Sequence, residues 1–267
     1  MSIKIVVLAK QVPDTRNVGP EAMTPEGTIN RSALPAVYNP EDLNALEMAL
    51  RAKELLPGST ITVVTMGPPR AEEVVREAIY RGADEGFVLS DRRFAGADTL
   101  ATSYAISCAI RRLGHVDLVF GGRQAIDGDT AQVGPQVAEK MGIPQITYAE
   151  ELLSVSEKSI CVKRRLANGT EVVEAPLPTL VTVCGSAPRP RFRHAHRLLQ
   201  HRHLEVPVWT ADDVDPDFDR LGLSGSPTKV KKVDSVVLTQ KDNIRVENTQ
   251  EALNNLMSNL VTNHIIG

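Results

Sequence analysis

Short apolar runs alternate with amphipathic segments along the N-terminal part of the chain. Ile3 to Ala9 and Thr60 to Met66 are nearly uninterrupted apolar runs of strand length, and shorter runs cover Gly86 to Leu89 and Val116 to Phe120. Such runs are typical of strands that are buried on both faces of a sheet. Because the segments between them have helical periodicity, the pattern predicts a mostly parallel, doubly wound α/β sheet.

Capping residues and breakers mark the predicted helices. Asn39-Pro40-Glu41-Asp42 combines a capping residue, a proline suited to the first helical position and two acids that complement the helix dipole. Pro57-Gly58 ends this segment. Further helices are predicted over Arg70 to Arg81 and from an N-cap at Asp98 to Leu113.

The rhythm changes after about Pro144. Ser159 to Arg165 and Thr170 to Ala175 predict a small hairpin that turns at Asn168-Gly169, a pair favoured in tight turns. Leu180 to Val183 then predicts a last strand of the main sheet.

Two segments fall outside this scheme. Lys10 to Ala36, rich in Pro, Gly, Asn and Thr, predicts a long excursion that holds a hairpin. From Glu205 the chain is polar and ends in a short helix, roughly Thr249 to Leu260. We therefore predict an α/β domain over residues 1 to 204 and a C-terminal arm over residues 205 to 267 that packs on another chain.

Composition narrows the classes of function. The net charge is −3, so the chain as a whole is not expected to bind nucleic acid. The three cysteines, Cys108, Cys161 and Cys184, have no zinc-ligand or CxxC spacing, which favours a reducing, cytoplasmic setting without a metal site. No secretory signal is recognisable, and no apolar run approaches the ~20 residues of a membrane span, so no membrane insertion is expected.

The stretch with the richest chemistry is Gly121 to Pro135, which follows an apolar strand and opens a helix. In a parallel sheet this places it at the carboxyl edge, where ligands bind. Free N–H groups near Thr130 to Gly134 are suited to a pyrophosphate, and Thr130 adds a hydroxyl donor. Asp127 and Asp129 would repel phosphate, so we assign them capping or ribose roles. The alternative is a capped strand-to-helix loop, since no named phosphate signature matches.

Two more strand ends are expected beside this loop. Backbone groups of Leu8 to Lys10 and of Thr65 to Gly67 are placed to bracket an adenine ring. Asn39 is suited to hydrogen bonding with that ring, although its residue type is equally well explained by helix capping.

Several motifs together resemble the β subunits of electron-transfer flavoproteins. They are LAKQVPDT, YNPEDLNALE, VTMGPPRAE, RGADEGFVLSDRRFAGADTLATS, GGRQAIDGDTAQVGPQVAEKMGIPQITYAEE and, in the tail, LGLSGSPT. The resemblance covers most of residues 1 to 184 and returns near residue 220. The QAID and GDTAQVGPQ block is its most specific part.

The resemblance implies an adenine-nucleotide-binding, Rossmann-like fold without catalytic residues of its own, paired as a heterodimer with an α subunit whose mobile domain holds FAD. In one branch of the family the β site holds AMP; in the branch linked to electron bifurcation it holds a second FAD. The motifs GDTAQVGPQ and FAGADT resemble those of the second branch, so we expect FAD in this subunit, with AMP as the alternative. The implied cofactor-binding residues are Ala9, Asn39, Thr65, Met66, Gly67, Arg123, Asp129, Thr130, Ala131, Gln132, Val133 and Gly134.

Arg123 brings a fixed positive charge to the implied cofactor-binding residues. Next to a flavin, its fixed positive charge would stabilise an anionic reduced ring. The alternative for Arg123 is a surface salt bridge.

One segment departs from the family pattern. Family members carry a loop like N-x-P-R-Y and then an apolar anchor that docks a dehydrogenase; here Pro190 to Phe192 match, the Asn is missing and the anchor falls on Ala195. No acid occurs from Ser186 to Leu204, where arginine and histidine abound. Two interpretations remain, docking to an acidic partner surface or packing on the α subunit. Histidine pairs here lack the ligands that would complete a metal site. The docking candidates are Arg191, Phe192, Ala195 and Leu198. Phe192, Ala195, Leu198 and Leu199 share one helical face, which predicts a basic amphipathic helix.

Three functions compete. The first passes electrons between NADH or an acyl-CoA dehydrogenase and further acceptors, with flavin-based bifurcation. The second is a single-flavin carrier with a structural AMP in this subunit. The third is an ATP-using enzyme on a related fold, which Lys10 to Thr15 disfavours because this segment lacks the glycines of a phosphate cradle.

Overall fold

The computed structural model describes residues 2–14, 35–228 and 245–266, and one nine-stranded sheet runs through its centre. The strands are β1 (Lys4–Ala9), β2 (Gln11–Pro13), β3 (Ala36–Tyr38), β4 (Thr60–Met66), β5 (Glu85–Leu89), β6 (Leu118–Gly122), β7 (Gln145–Val155), β8 (Ser159–Leu166), β9 (Gly169–Pro176), β10 (Thr179–Val183) and β11 (Val208–Trp209). The α-helices are α1 (Pro40–Leu55), α2 (Glu72–Arg81), α3 (Thr99–Arg112), α4 (Val133–Met141), α5 (Ala195–Gln200) and α6 (Gln250–Thr262).

The sheet has the strand order β11-β5-β4-β1-β6-β10-β7-β8-β9. All neighbours from β11 to β7 pair in parallel, whereas β8 and β9 extend the sheet as antiparallel strands. Helices α1 and α2 contribute to the core on one face, and α3 and α4 contribute to the core on the other. The predicted doubly wound, mostly parallel α/β fold with a small hairpin is confirmed.

Burial on both faces explains the uninterrupted apolar strands. In β1, Ile5 and Val7 pack into the core beneath α1, while Val6 and Leu8 pack into the core beneath α3. Each side chain of this type stabilises the fold by roughly 1.5–3 kcal/mol when it is fully buried. A polar residue at either alternate position would therefore be costly, which is why β1 shows no period of two.

The hairpin forms one residue earlier than predicted. Leu166 pairs directly with Gly169, so Ala167 and Asn168 make the turn, not Asn168 and Gly169. Gly169 has a φ of +154° and opens β9, a conformation that L side chains rarely adopt. The preceding long strand, β7, has no counterpart among the predicted elements because its outer half is largely exposed and lacks an apolar run.

The excursion predicted over Lys10 to Ala36 lies mostly outside the described residues. Its described ends pair as the antiparallel strands β2 and β3, with Gln11 opposite Tyr38. This pairing brings the start of α1 next to the end of β1, since the Asn39 amide donates to the Lys10 carbonyl at 2.9 Å.

Part of the tail packs on the body. Strand β11 adds to the sheet edge, where the Trp209 ring stacks on Phe87 with centroids 3.7 Å apart. Ala211 and Leu221 are also buried there. The domain boundary between residues 204 and 205 stays a prediction, and the structure shows that packing continues beyond it. Among the described residues no helix is both long and apolar enough to cross a membrane.

Candidate functional site

A cavity of about 890 Å³ lies at the carboxyl ends of β1, β4 and β6. Helices leave β1 and β6 toward opposite faces of the sheet, so these two strands flank the topological switch point, where ligands bind in open α/β sheets. Nine of the predicted cofactor-binding residues line it: Ala9, Met66, Arg123, Asp129, Thr130, Ala131, Gln132, Val133 and Gly134.

Asp42 joins the two strand ends at the floor of the cavity. Its carboxylate accepts hydrogen bonds from the Lys10 amide at 2.8 Å and from the Gly122 amide at 3.0 Å. A Cβ on Gly122 would lie 2.3 Å from Asp42 Oδ1, so this link requires glycine. Burial raises the pKa of Asp42 to about 7, although hydrogen bonds from Asn39, Lys10 and Gly122 oppose the rise.

Asn39 holds the loop that follows β6. Its amide donates to the Gln124 carbonyl at 2.9 Å and accepts from the Ile126 amide at 3.2 Å. Asn39 stands at the N-cap position of α1, but its side chain makes no capping hydrogen bond, so the expected capping role is wrong. The residue is fully buried behind the loop and does not line the cavity, because its polar atoms are used by the loop backbone.

Arg123 is paired within the chain. Its guanidinium donates to both carboxylate oxygens of Glu41, at 3.0 and 3.2 Å, and lies 5.7 Å from the centroid of the Tyr148 ring. The same carboxylate accepts from the Gln124 amide at 3.0 Å. Hydrogen bonding to Glu41 raises the pKa of Arg123 further, so the guanidinium stays charged but locally neutralised.

The aspartates of the loop are held by neighbouring side chains. Lys10 Nζ donates to both oxygens of Asp127, at 2.7 and 2.9 Å, and Gln124 donates to Asp129 at 2.8 Å. Both cations that line the cavity, Lys10 and Arg123, therefore already have a carboxylate partner. An anionic ligand in this cavity depends on backbone donors more than on free cationic side chains.

The loop carries two strained positions. Asp129 and Ala131 have φ values of +49° and +53°, in the left-handed region, which alanine seldom adopts and aspartate adopts at a smaller cost. Such strain costs on the order of 1–2 kcal/mol for a residue like alanine, and it concentrates at binding sites. These two residues lie directly before the start of α4.

The N-terminus of α4 is open toward the cavity. Gln132 occupies the N-cap position without a side-chain capping hydrogen bond, and Pro135 has no N–H. Among the described residues no side chain accepts from the Val133 or Gly134 amide, so both remain for a ligand. A Cβ on Gly134 would lie 2.6 Å from the Thr182 methyl carbon, which shows how closely this helix start packs on β10.

The N-terminus of α3 faces the same cavity but is closed. Asp98 accepts from the Leu100 and Ala101 amides, both at 3.0 Å, as the capping residue predicted from the sequence. Its second oxygen accepts from the Thr228 hydroxyl at 2.7 Å. A phosphate is therefore expected at α4 and not at α3, where a carboxylate already occupies the helix end.

The end of β4, from Thr65 to Gly67, contributes fewer residues to the cavity than the sequence predicts. Met66 lines the cavity with Val64, but Thr65 points to the opposite face of β4, as alternation along a strand requires. The Thr65 hydroxyl is buried and has no hydrogen-bond partner among the residues that the structure describes. Gly67 does not line the cavity, and its amide donates to the Leu89 carbonyl at 3.1 Å.

Sequence reasoning missed two walls of the cavity as site residues. One is the loop before α3, from Gly96 to Thr99, and the other is Pro227 and Thr228 of the tail. Both walls lie within motifs of the family resemblance, FAGADT and LGLSGSPT, which are the signal that could have identified them. The Asp98 contact with Thr228 brings the two walls together.

The basic segment adopts a shorter helix than the predicted amphipathic face requires. Helix α5 begins at Ala195, so Phe192 lies outside it and projects into solvent with 92% of its surface exposed. Ala195 and Leu198 are also exposed. The amphipathic face predicted to include Phe192 is therefore not formed, because residues 191 to 194 are not helical.

Arg191 points back to the body. Its guanidinium donates to Glu47 at 2.8 and 3.1 Å and to Glu54 at 2.6 Å. Burial disfavours the Glu47 carboxylate, yet the Arg191 hydrogen bonds lower the pKa of Glu47 overall. The Arg197 guanidinium also donates to the Ile79 carbonyl at 2.7 Å. Arg191 and Arg197 thus fix the segment to the body, while Phe192 and Leu198 remain exposed.

Comparisons with known proteins agree with this architecture. Residues 26–214 match the family model described as "Electron transfer flavoprotein domain". The chain is 44% identical to "Electron transfer flavoprotein subunit beta" of Clostridium acetobutylicum, over 99% of this chain and the full length of the relative. It is 40% identical to "Caffeyl-CoA reductase-Etf complex subunit CarD" of Acetobacterium woodii and 42% identical to "Acryloyl-CoA reductase electron transfer subunit gamma" of Anaerotignum propionicum, with the same coverage. The chain therefore belongs to the electron transfer flavoprotein family and is a relative of its beta subunits.

Proposed function

We propose that this chain binds FAD in the cavity at the switch point and, with an α subunit, passes electrons between NADH or an acyl-CoA dehydrogenase and further acceptors by flavin-based bifurcation. The observation that carries the proposal is the N-terminus of α4, without a capping side chain among the described residues, at one end of a cavity whose strand side is apolar. A nucleotide combines both chemistries, since its phosphates need donors and its rings need an apolar slot.

The phosphate end fits the loop before α4. Val133 and Gly134 supply unused amides, and the helix dipole favours negative charge there. Thr130 lines the cavity at the same loop and adds a hydroxyl. The strained backbone at Asp129 and Ala131 supports a binding role, because strain of this kind persists where the surroundings over-determine it.

The ring end fits the strand side of the cavity. Leu8, Val64, Met66, Phe94 and Ile106 form an apolar wall there. The total volume of about 890 Å³ lies near the upper end of the roughly 300–1,000 Å³ range of small-molecule sites, which favours FAD over the smaller AMP. FAD supplies the redox chemistry when bound; the residues of this chain bind and orient it and exclude water.

Arg123 has a narrower role in this proposal than its charge alone suggests. The Glu41 carboxylate holds the guanidinium against Tyr148 at the rim of the cavity. The pair therefore positions the β6 loop, and its net effect on the charge of a reduced flavin is small compared with that of an unpaired arginine.

The α subunit is the proposed partner of the C-terminal helix. In α6, Leu253, Met257 and Val261 follow one another at intervals of four residues, and all three are exposed. An apolar stripe of this kind needs a covering surface.

A redox partner is proposed to dock on the segment from residue 189 to 203. Phe192 is the most exposed large apolar side chain among the described residues, and Arg193, His194 and His196 around it are exposed. We therefore assign the apolar anchor to Phe192 in preference to Ala195, with an acidic surface on the partner.

Nucleotide stoichiometry tests the cofactor proposal. The α/β complex is purified, denatured, and its released FAD and AMP are quantified. Two FAD and no AMP per heterodimer support FAD in this chain. One FAD and one AMP favour the single-flavin alternative, in which this subunit holds a structural nucleotide. A complex that releases one FAD and no AMP contradicts both assignments of the cavity.

A further inference from the structure

A second cleft lies beside the nucleotide cavity. It has a volume of about 400 Å³, and Leu100 and Pro227 belong to the walls of both. Its own charged walls come from the last turn of α4, at Lys140, and from the tail, at Arg220. The cleft therefore uses a different end of α4 from the one assigned to the nucleotide phosphate.

Cations converge on this cleft without carboxylate partners. Lys140 and Arg220 line it, and Arg111 reaches its edge by donating a hydrogen bond to the Lys140 carbonyl. None of the three forms an ion pair with a carboxylate in the described part of the chain. Burial lowers the pKa of Lys140, and the charges of Arg220 and Arg111 lower it further.

Arg220 is fixed in place before any ligand arrives. Its guanidinium carbon lies 3.9 Å from the centroid of the Tyr104 ring, a short cation–π contact. The Tyr104 hydroxyl in turn accepts from the Asp217 amide at 2.9 Å. The following turn is equally constrained, since a Cβ on Gly225 would lie 2.1 Å from the Arg220 carbonyl carbon.

The cleft holds one opposing charge. Asp219 lines it and is exposed, and it forms no ion pair with Lys140 or Arg220. Ser224 also lines the cleft and is exposed. Two lining cations and a third at the edge therefore face a single carboxylate, and bringing an oxyanion into the cleft would relieve the repulsion among them.

We propose that this cleft is a second anion site, which binds a phosphate group through Lys140 and Arg220. Free phosphate and the terminal phosphate of a nucleotide share this chemistry, and the cleft has room for either. Binding here is independent of the nucleotide in the neighbouring cavity, because different helix ends and side chains supply the donors.

Isothermal titration calorimetry on the purified α/β complex, with its own nucleotides bound, tests the proposal. Inorganic phosphate is titrated first, and ADP in a second series, with released FAD and AMP measured after each titration. We expect saturable binding without nucleotide release. Tighter binding of ADP than of phosphate identifies a nucleotide as the source, whereas weaker binding of ADP identifies free phosphate.

Matched variants assign the binding to the cleft. Lys140→Gln is expected to weaken binding at least tenfold, while Lys140→Arg, which keeps the charge, and Lys158→Gln, on an exposed turn, leave it within twofold. FAD and AMP content stays unchanged in all three variants, which separates this site from the proposed nucleotide cavity. Absence of saturable binding, equal binding in Lys140→Gln, or binding seen only as displacement of the cavity nucleotide would overturn the proposal.

Discussion

At the scale of single residues, the candidate site depends on contacts between groups far apart in the chain. The Asp42 carboxylate binds amides at the ends of β1 and β6, and Asn39 binds the loop that follows β6. Glu41, between them, holds Arg123 and Gln124. The first turn of α1 therefore organises the cavity floor, although Asn39 and Glu41 do not line it.

Gly122, the last residue of β6, should not tolerate substitution by alanine, whereas Gly121 should. In Gly122→Ala the new methyl would lie 2.3 Å from Asp42 Oδ1, so we expect a loss of about 1–3 kcal/mol in unfolding free energy and reduced nucleotide content. In Gly121→Ala the methyl meets Leu8 at 3.6 Å, an ordinary contact, so stability should be retained. Thermal unfolding of the two complexes with nucleotide quantification compares them; equal behaviour would contradict the close approach of Asp42.

Asp42 should make stability depend on pH. Its folded-state pKa, about 7, lies above the ordinary value of 3.8, so protonation stabilises the fold. This contribution is complete below pH 3.8 and is lost as the pH rises through 7. Between pH 5 and 7 the unfolding free energy of the unsubstituted protein should therefore fall, relative to Asp42→Asn, by at most about 1.4 kcal/mol per pH unit. If instead the unfolding free energies of the two proteins change equally with pH, Asp42 is already ionised at pH 5 and the prediction is wrong.

At the scale of secondary-structure elements, the two helix ends at the cavity have opposite designs. Helix α3 begins with the Asp98 carboxylate bound to its amides, and α4 begins without a cap. The first arrangement stabilises the helix by about 1 kcal/mol, and the second leaves donors free for a ligand. This difference is the reason for assigning the proposed phosphate to α4 and not to α3.

A carboxylate placed at the start of α4 should make this helix end resemble the capped start of α3. In Gln132→Asp the new side chain is expected to cap α4 as Asp98 caps α3, which raises stability but repels a phosphate. Gln132→Asn is the matched control. It provides a neutral capping side chain and, like Gln132→Asp, loses the hydrogen bond from the Thr99 hydroxyl, so the two variants differ only in charge. We expect FAD or AMP content to fall strongly in the first variant and to be largely kept in the second. Equal nucleotide content in both would place the phosphate elsewhere.

Sequence patterns predicted the elements better than their side-chain partners. The apolar runs of β1 and β4 and the Asp98 cap follow from local periodicity and local hydrogen bonding, so they could be predicted. The Arg123 pair with Glu41 joins residues 82 positions apart, and only the folded sheet brings them together. Thr65 shows a second limit of prediction from sequence. The position of a strand end predicts where a site lies, but the register of the strand decides which face of the sheet each side chain occupies.

At the scale of the whole molecule, the sheet and the tail share in building the cavity. The tail returns as β11 on the sheet edge and continues to Thr228, where it contacts Asp98 at the cavity wall. Residues 208 to 228 thus contribute to the sheet edge and to the cavity wall. In the described residues from 245 onward, helix α6 presents a row of exposed apolar side chains, and none of its residues is fully buried.

This uncovered helix predicts how the heterodimer is held. Met257 lies on the exposed apolar stripe of α6, whereas Asn255 lies on the opposite side of the helix, about 200° away from Leu253 at 100° per residue. Met257→Glu should weaken association with the α subunit at least tenfold, because a charge would be buried in an apolar interface. Asn255→Glu adds the same charge and should leave the affinity within twofold. Sedimentation velocity of the mixed subunits measures both, and the unsubstituted chain without its partner should self-associate through the same stripe. A monomeric lone chain whose affinity for the α subunit is unaffected by Met257→Glu would show that the arm does not contribute to the interface.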